Sequence, residues 1–338
     1  MISENSMQQI RDIPVSAVVG RVVKLKKNTG LCPFHNEHTP SFHIDDRKGI
    51  FKCFGCGEGG DAIKFVQLYE KLSFFEAVES LARAHNISLD YIDNYSPEQR
   101  QAVKEKLELY KEILAYCHRF YINALQKSAA AREYLLGRGY DDDVIADWQL
   151  GYAPGEWQNI VPTIINNGWY NAALELGLIG TTDGRNYDMY RDRIIIPLYD
   201  RQAQLIGFAG RALGDAKPKY INPKESEVYV KSDTWYGMER AASTMHTTGN
   251  AFITEGYFDV ISMHVHGITN TVASCGTEVS DLQLKRLKPH TDTVSIMYDG
   301  DTAGQKKIVP LAQKALKHGF HVKVVALQGQ DPDEFVKQ

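Results

Sequence analysis

The chain has 338 residues, which is enough for two or three domains, and its hydrophobic fraction of 43% and charged fraction of 24% are ordinary for a globular protein. It contains no apolar run near the roughly 20 residues that a membrane-spanning helix needs, so we expect no membrane partner. The net charge of −4 argues weakly against a strong, non-specific nucleic-acid binder.

The five cysteines do not form a paired disulfide framework, because Cys117 and Cys275 stand alone. Residues 1–6 also lack the basic and then apolar layout of a secretory signal peptide. We therefore expect a cytoplasmic protein that works under reducing conditions.

The first 92 residues contain two close pairs of potential metal ligands. Two residues separate the members of each pair and seventeen separate the pairs, which are Cys32 with His35 and Cys53 with Cys56. Two such pairs joined by a β-hairpin predict a tetrahedral Cys₃His site for Zn²⁺. Because four protein ligands leave no open position, we expect one structural ion. His38 and His43 are nearby alternatives to His35, whose spacing from the first cysteine is preferred.

Aromatic and basic residues surround these pairs. The rings could stack on unpaired bases and the cations could neutralise phosphates, or the rings could fill a small core beside solvated cations. We favour the core for most of the rings and leave both interpretations open for the cations. The residues are Phe34, Phe42, Phe51 and Phe54, with Lys24, Lys26, Lys27, Arg47, Lys48 and Lys52.

Helical patterns follow the Cys/His region. Asp61 is well placed to cap a helix, and apolar residues recur at helical spacing over residues 63–82. The polar segment 93–103, which contains a proline, predicts a linker between domains. Further helical patterns cover residues 98–126 and 131–136.

Strand patterns dominate the later part of the chain. Residues 193–198 and 203–208 are rich in apolar and β-branched side chains and flank a short polar segment, which predicts a β-hairpin. From residue 250 onward strand and helix patterns alternate. This alternation predicts a parallel sheet with helices packed outside it.

Three acidic clusters follow apolar runs in this last region. They are Glu255 with Asp259, Asp299 with Asp301, and Asp331 with Asp333. Buried parallel strands have such apolar runs, and open α/β sheets carry their functional residues just past the strands' carboxyl ends. Since so many carboxylates in one crevice repel each other, we expect a divalent cation among them, and Mg²⁺ prefers oxygen ligands. Helix capping is the alternative role for Asp301 and Asp331.

The motifs occur in a distinctive order. The chain reads Cys-Pro-Phe-His-Asn-Glu-x-Thr-Pro-Ser-Phe from Cys32, Phe-x-Cys-Phe-Gly-Cys-Gly from Phe51, Glu-Gly-Tyr-x-Asp from Glu255, Tyr-Asp-Gly-Asp-x-Ala-Gly from Tyr298, and Asp-Pro-Asp from Asp331. In this order the motifs resemble those of bacterial DnaG-type DNA primases, and the resemblance covers nearly the whole chain.

The resemblance implies a multi-domain α+β protein. It places a zinc-ribbon DNA-binding domain, built from β-hairpins and helices, at residues 1–92, and the linker at 93–103. Residues 104–249 would form the basic N-terminal part of an RNA polymerase core, which binds template and nucleotide. Residues 250–338 would form its catalytic Toprim subdomain, a Rossmann-like parallel sheet. The core as a whole is then mixed α/β.

The resemblance also implies an activity, namely the synthesis of short RNA primers on single-stranded DNA from ribonucleoside triphosphates during replication. The expected chemistry is nucleotidyl transfer with two Mg²⁺ or Mn²⁺ ions. Glu255 and Asp259 match the first Toprim motif, Asp299 and Asp301 the second, and Asp331 and Asp333 the third acidic pair. The first four would be catalytic and all six would bind metal, with Glu255 assisting proton transfer or completing the metal cage.

Upstream, basic motifs resemble those that hold template phosphates and the incoming triphosphate in this family. The candidate residues are Arg191, Arg193, Arg211, Lys219, Asn222 and Lys231. Ion pairs with Asp188 and Asp192 are the alternative role for the first two arginines.

The chain departs from the family pattern in two places. The segment between Lys27 and Leu31 is short, and the sequence ends soon after the third acidic pair, without the helicase-binding domain. Whether a replicative helicase at the replication fork is a partner of this chain is therefore left open. Two other functions are compatible with the motifs, namely a Toprim nuclease or topoisomerase-like enzyme that cleaves strands, and an inactive zinc-ribbon module that binds single-stranded DNA.

Overall fold

The computed structural model describes residues 3–70, 72, 74–90, 97–276, 278–327 and 329–337. The chain divides into two compact units, Met1–Glu98 and Gln99–Gln338. Residues 93–96 of the predicted linker lie outside the described residues. Its last part, residues 97–103, forms the first turns of a long helix.

The first unit is a small antiparallel sheet with helices. Its elements are α1 (Glu4–Arg11), α2 (Val15–Val19), β1 (Thr29–Gly30), β2 (Phe42–Asp45), β3 (Ile50–Cys53), β4 (Gly59–Gly60), α3 (Ala62–Tyr69) and α4 (Phe74–Ala84). The sheet order is β1-β2-β3-β4. Asp61 caps α3, because its side chain accepts a hydrogen bond from the backbone N–H of Lys64 at 2.8 Å. The predicted helices after Asp61 are confirmed.

Alternate residues of the β2–β3 hairpin face the core of this unit. Phe42 and Phe51 are buried and their rings stack at 5.2 Å, and Phe65 of α3 packs edge-on against both. The intervening residues His43 and Lys52 lie opposite each other on the exposed face. This two-residue period is the pattern of a sheet with one solvated face.

The second unit begins with helices around an antiparallel sheet. Its first elements are α5 (Pro97–Lys127), α6 (Ala129–Gly137), α7 (Asp142–Asp147), β5 (Gly151–Ala153), α8 (Val161–Asn166), α9 (Tyr170–Glu175), β6 (Ile179–Thr182), β7 (Arg185–Asp188), β8 (Arg193–Tyr199), β9 (Leu205–Ala212) and β10 (Tyr220–Ile221). The main sheet has the order β10-β9-β8-β5, and β6 pairs with β7. The predicted long helix, short helix and hairpin are confirmed as α5, α6 and β8–β9.

The second unit ends in a parallel sheet with helices. These elements are α10 (Met238–Thr248), β11 (Asn250–Thr254), α11 (Tyr257–Val265), β12 (Thr271–Ala273), α12 (Asp281–Leu287), β13 (Thr293–Ile296), α13 (Thr302–Lys317), β14 (His321–Val324) and α14 (Pro332–Val336), with 3₁₀ turns at Lys231–Asp233 and Lys288–His290. All pairings are parallel, in the order β12-β11-β13-β14. The predicted fold class, a zinc-binding domain followed by a mixed α/β core with a parallel sheet, is confirmed.

Burial differs along this sheet. The central strands β11 and β13 bury Ile253 and Ile296, which lie side by side in register. The prediction of a buried strand was wrong for β14, where Val324 is 51% exposed. The other edge strand of this sheet, β12, is buried. Since β11 and β13 are adjacent and parallel, the residues that follow them, Glu255 and Asp299, start from the same edge of the sheet.

Candidate metal centres and acidic cleft

The two Cys/His pairs meet in the first unit. The thiol and imidazole ligand atoms of Cys32, His35, Cys53 and Cys56 all lie within 4.8 Å of one another. Within the part of the chain that the structure describes, no other group of three or more such side chains comes this close. We call these four residues the zinc cluster, since three sulfurs and one nitrogen with no further protein ligand suit structural Zn²⁺.

Neighbouring groups orient the ligands of the zinc cluster. Glu37 accepts a hydrogen bond from the backbone N–H of Cys32 at 2.7 Å and lies 3.3 Å from His35 Nε2. His35 thus directs Nδ1 towards the sulfur of Cys53, at 3.9 Å, and its other nitrogen towards a carboxylate. A carboxylate behind a histidine ligand fixes the ring in this way at many zinc sites.

The sulfur of Cys53 is surrounded by hydrogen-bond donors. Burial raises the pKa of its thiol, but hydrogen bonds with Ser41 and with the backbone N–H groups of Cys56 and Gly55 outweigh burial and lower the pKa to about 6. A thiolate is the form that binds metal. The surroundings of Cys53 therefore favour ligation.

The aromatic side chains and an alternative histidine ligand of this unit lie partly in its core and partly on its surface. His43 contacts the backbone carbonyl of Ser41 at 3.2 Å and packs edge-on against Phe54 at 5.2 Å, outside the zinc cluster. Phe54 is 72% exposed, whereas Phe42 and Phe51 lie in the core. The core interpretation thus holds for the latter two rings and not for Phe54.

The acids that follow β11 lie at the start of α11. Asp259 is buried and accepts a hydrogen bond from the backbone N–H of Gly256 at 2.8 Å. Burial and, to a smaller extent, the charges of Asp299, Asp331 and Asp333 together raise the pKa of Asp259 to about 7, despite that hydrogen bond. The side chain therefore faces other carboxylates in a poorly hydrated place.

The acids that follow β13 have different surroundings. Burial and, to a smaller extent, the charges of Glu255, Asp331 and Asp301 together raise the pKa of Asp299 to about 6. Asp301 is exposed and caps α13, since its Oδ1 accepts the backbone N–H of Gly304 at 2.7 Å. Capping occupies one carboxylate oxygen of Asp301 and leaves the other.

Glu255 has one satisfied and one unsatisfied oxygen. Its Oε2 accepts a hydrogen bond from Lys307 Nζ of α13. Its Oε1 is buried and has no hydrogen-bond partner among the described residues. A buried carboxylate oxygen without a partner costs free energy unless a donor or cation approaches it. This oxygen, together with the all-carboxylate donor set, fits a hard divalent cation.

The third acidic pair is split between two roles. Asp331 caps α14 by accepting the backbone N–H of Glu334 at 2.7 Å. Asp333 is buried and bound by Arg138 at 3.1 Å, Lys337 at 2.5 Å and the hydroxyl of Ser262. Its carboxylate is therefore already neutralised by the protein.

A cleft of about 350 Å³ joins these acids to basic residues of the same unit. We call it the acidic cleft; its lining includes Glu255, Asp259, Asp299 and Asp331 together with Arg138, Lys219, Asn222 and Lys231. The structure thus brings together four of the six predicted acids. Asp301 and Asp333 are not among the lining residues.

Three of the predicted basic or amide residues line the acidic cleft. Lys219 is exposed, and the stem of Lys231 passes so close to Gly276 that a Cβ there would lie 2.9 Å from Cε. The amide of Asn222 is oriented by two hydrogen bonds, from Tyr257 at 2.9 Å and to the carbonyl of Cys275 at 3.2 Å. These three residues thus line the same cleft as the acids.

The predicted arginines lie outside that lining. Arg193 is buried and donates to the carbonyls of Gly210 and Lys219, at 3.1 and 3.3 Å, so it supports β9 and β10. Arg211 lies over the ring of Tyr220 at 5.4 Å. The partners of the two arginines in these contacts are backbone carbonyls and a ring, not carboxylates.

Arg191 belongs to an aromatic stack that the sequence did not indicate. Its guanidinium lies 4.2 Å from the ring centroid of Trp157 and 5.1 Å from that of Tyr187, and it donates to the carbonyl of Asp188. The Trp157 side chain is 60% exposed. The contact with Asp188 goes to its backbone, since the carboxylate accepts N–H groups of Asn159, Ile160 and Val161.

The sequence interpretation missed three further residues at these sites: Arg138, Trp157 and Lys307. Arg138 follows the short helix α6 and pairs with an acid 195 positions away. Local spacing carries no signal for such a contact. An exposed tryptophan beside a tight turn is the one feature that could have drawn notice.

No helix in the described part of the chain is both long and apolar enough to cross a membrane.

Three family models match the chain. A CHC2 zinc finger model matches residues 2–96, the model of the DNA primase catalytic core, N-terminal domain, matches residues 120–242, and a Toprim-like model matches residues 252–336. The zinc cluster lies in the first match. All the acids of the cleft lie in the third.

Curated relatives carry the name DNA primase. The protein of Clostridium acetobutylicum is 37% identical over 100% of this chain and 57% of its own length. That of Escherichia coli K12 is 36% identical over 94% of this chain and 56% of its own length. The chain thus spans somewhat more than half the length of these relatives.

Solved structures agree with the sequence comparison. A crystal structure of the zinc-binding and RNA polymerase domains of Aquifex aeolicus primase is 37% identical and covers 99% of this chain and 82% of that chain, with a TM-score of 0.64. A DnaG primase catalytic domain bound to single-stranded DNA is 31% identical and covers 69% of this chain and 76% of that chain, also with a TM-score of 0.64. The chain belongs to the DnaG family of bacterial DNA primases.

Proposed function

We propose that this chain synthesises short RNA primers on single-stranded DNA from ribonucleoside triphosphates, by nucleotidyl transfer that depends on Mg²⁺ or Mn²⁺. The observation that carries the proposal is the convergence of carboxylates and cations in one cleft. Glu255, Asp259 and Asp299 line the acidic cleft together with Lys219 and Lys231. Phosphoryl transfer needs little covalent chemistry from the protein but much positioning and charge neutralisation.

The carboxylates that line the cleft are the proposed metal ligands. Glu255 offers the unsatisfied Oε1, and the charges of Asp259 and Asp299 repel each other unless a cation lies near them. Asp331 completes the set that lines the cleft. Asp301 lies outside that lining, but its second oxygen, the one that does not cap α13, makes it a further candidate. A bound Mg²⁺ or Mn²⁺ would neutralise the triphosphate and lower the barrier to attack by the primer hydroxyl.

The remaining residues of the site position these groups. Asp333, held by Lys337 and Ser262, fixes Arg138 at the rim of the cleft. Lys219 and Lys231 would hold phosphates of the nucleotide or template. Glu255 would complete the metal cage or accept a proton, as its position between Lys307 and the cleft permits.

The template would use the exposed rings of the core. Trp157 and Arg191 form a flat cationic stack on which unpaired bases can pack. In the first unit, Phe54 and His43 offer a second exposed pair of rings, packed edge-on, with Lys52 opposite His43 in the sheet. The relative solved with single-stranded DNA supports a template of this kind.

A primer-synthesis assay tests the proposal. The assay compares three proteins: wild type, Asp299→Asn and the control Asp215→Asn. Asp215 is an exposed acid outside the cleft lining. Each protein receives labelled ribonucleotides and mixed single-stranded templates, with or without Mg²⁺. We expect Mg²⁺-dependent RNA products from wild type and control, and a loss of at least about 100-fold in Asp299→Asn with template binding retained, because the ligand charge is lost.

Two results would contradict primer synthesis. Strand cleavage under the same conditions would favour the Toprim nuclease or topoisomerase-like function. A wild type that binds single-stranded DNA without any synthesis would favour an inactive zinc-ribbon module. Recruitment of a replicative helicase, and a cytoplasmic location at the replication fork, stay predictions from the resemblance.

A further inference from the structure

The ion pair between Lys307 and Glu255 joins an α-helix to the catalytic edge of the parallel sheet. Glu255 follows β11, and Lys307 lies in the second turn of α13. Lys307 Nζ donates to Glu255 Oε2, and the two side chains are 39% and 18% exposed. This partly buried pair is less screened by solvent than a pair on the surface.

The two oxygens of Glu255 therefore face different cations. Oε2 is occupied by the ammonium, while Oε1 is buried without a partner among the described residues. The charge of Lys307 also acts on Asp299, on the other strand. In the described structure, Lys307 is thus a countercharge that the protein itself supplies to the acidic cleft.

We propose that Lys307 is a built-in counterion that competes electrostatically with the divalent cation for Glu255, and so sets the concentration of Mg²⁺ or Mn²⁺ that the cleft requires. The inference rests on the proposed function of the cleft. An ion held by Oε1 would share one carboxylate with the ammonium on Oε2, so the two positive charges would repel each other. The same carboxylate is also made a weaker ligand by the lysine, because part of its charge is already neutralised.

Direct binding of Mn²⁺ to the zinc-loaded full chain tests this role without any reaction. Electron paramagnetic resonance of free Mn²⁺ gives the dissociation constant for wild type, Lys307→Met and Lys307→Arg. Lys306→Met is the matched control, since it removes the same charge from the adjacent, exposed position of α13. Circular dichroism and thermal unfolding check that each variant is folded.

We expect Lys307→Met to bind Mn²⁺ about tenfold more tightly than wild type, because one repulsive charge is removed at close range. Lys306→Met and Lys307→Arg should bind like wild type, the second because arginine keeps the charge.

Three results would overturn the inference. Unchanged or weaker binding by Lys307→Met, with measurable binding by wild type, would refute the competition and leave the proposed function standing. Equal tightening in Lys307→Met and Lys307→Arg would point to packing rather than charge. No Mn²⁺ binding by any variant would refute the competition and the proposed metal-dependent function together.

Discussion

Carboxylates of the three acidic clusters differ sharply in their partners. Asp333 is bound by Arg138, Lys337 and a hydroxyl, whereas Asp259 has one backbone N–H and otherwise faces other acids. A carboxylate with cationic partners is neutralised by the protein, and one without them needs an external cation or a proton. Partner choice therefore separates a structural acid from a candidate metal ligand.

At Gly304 the backbone of α13 lies very close to the residues of the site. A Cβ there would lie 2.3 Å from the carbonyl oxygen of Asp299 and 3.0 Å from Glu255 Oε1. We expect Gly304→Ala to lower the free energy of unfolding by about 1–3 kcal/mol, because α13 must move away from the strand end. Denaturant unfolding measures the effect.

The control for this substitution is Gly137→Ala. Gly137 also lies in a helix, α6, and nothing lies within 4 Å of its added Cβ. This change should be neutral or stabilising by up to about 1 kcal/mol, since alanine is the better helix former. A Gly304→Ala protein as stable as the control would refute the close packing.

At the level of elements, strand ends and helix starts position the predicted acids of the second unit. Asp301 and Asp331 each begin a helix by capping it, and this places them beside the carboxyl ends of β13 and β14. Negative charge is also stabilised at a helix N-terminus by the aligned peptide dipoles. Capping and metal binding are therefore compatible roles for these two acids, since a cap uses one oxygen.

The zinc cluster brings together separate segments of the first unit. We expect removal of Zn²⁺, by a chelator or by Cys32→Ser, to unfold this unit, because the four ligands tie the loop after β1 to the end of β3. The control Cys275→Ser leaves the cluster intact and should keep one zinc per chain. Zinc content and limited proteolysis measure the two effects; retention of structure without zinc would contradict the prediction.

At the level of the whole molecule, we expect the acidic cleft to make stability depend on both pH and divalent cations. The pKa values of Asp259 and Asp299 are raised from 3.8 to about 7 and about 6, chiefly by burial. Between pH 4 and 7 the folded state therefore binds more protons than the unfolded state. Protonation of these two groups therefore contributes to the free energy of unfolding. This contribution is fully present below about pH 4 and is lost as the pH rises through 6 and 7.

Divalent cations should reverse this loss. Binding of Mg²⁺ requires ionised carboxylates, so we expect saturating Mg²⁺ to raise the melting temperature of the core clearly near pH 8 and little near pH 5. Asp259→Asn removes one of the titrating groups. The difference between this variant and wild type in the Mg²⁺-induced increase of the melting temperature separates the effect of this site from that of other carboxyl groups. An equal increase at both pH values would contradict the prediction.

Sequence patterns predicted the features that depend on local spacing. The Cys and His pairs, the cap at Asp61, the hairpin at β8–β9 and the strand–helix alternation after residue 250 all arise between residues close in the chain. The placement of acids after β11 and β13 also followed from the sequence, because parallel strands bring their carboxyl ends to one edge.

By itself, the sequence determined the types of element, their order, and the ligand groups that each element carries. The tertiary structure decided which charged groups meet: Asp333 with Arg138, Glu255 with Lys307, and Arg191 with Trp157 rather than with an acid. The first of these pairs is 195 residues apart and the second 52. Contacts of this kind depend on how helices pack against the sheet, and such packing leaves no periodic signal in the neighbouring residues.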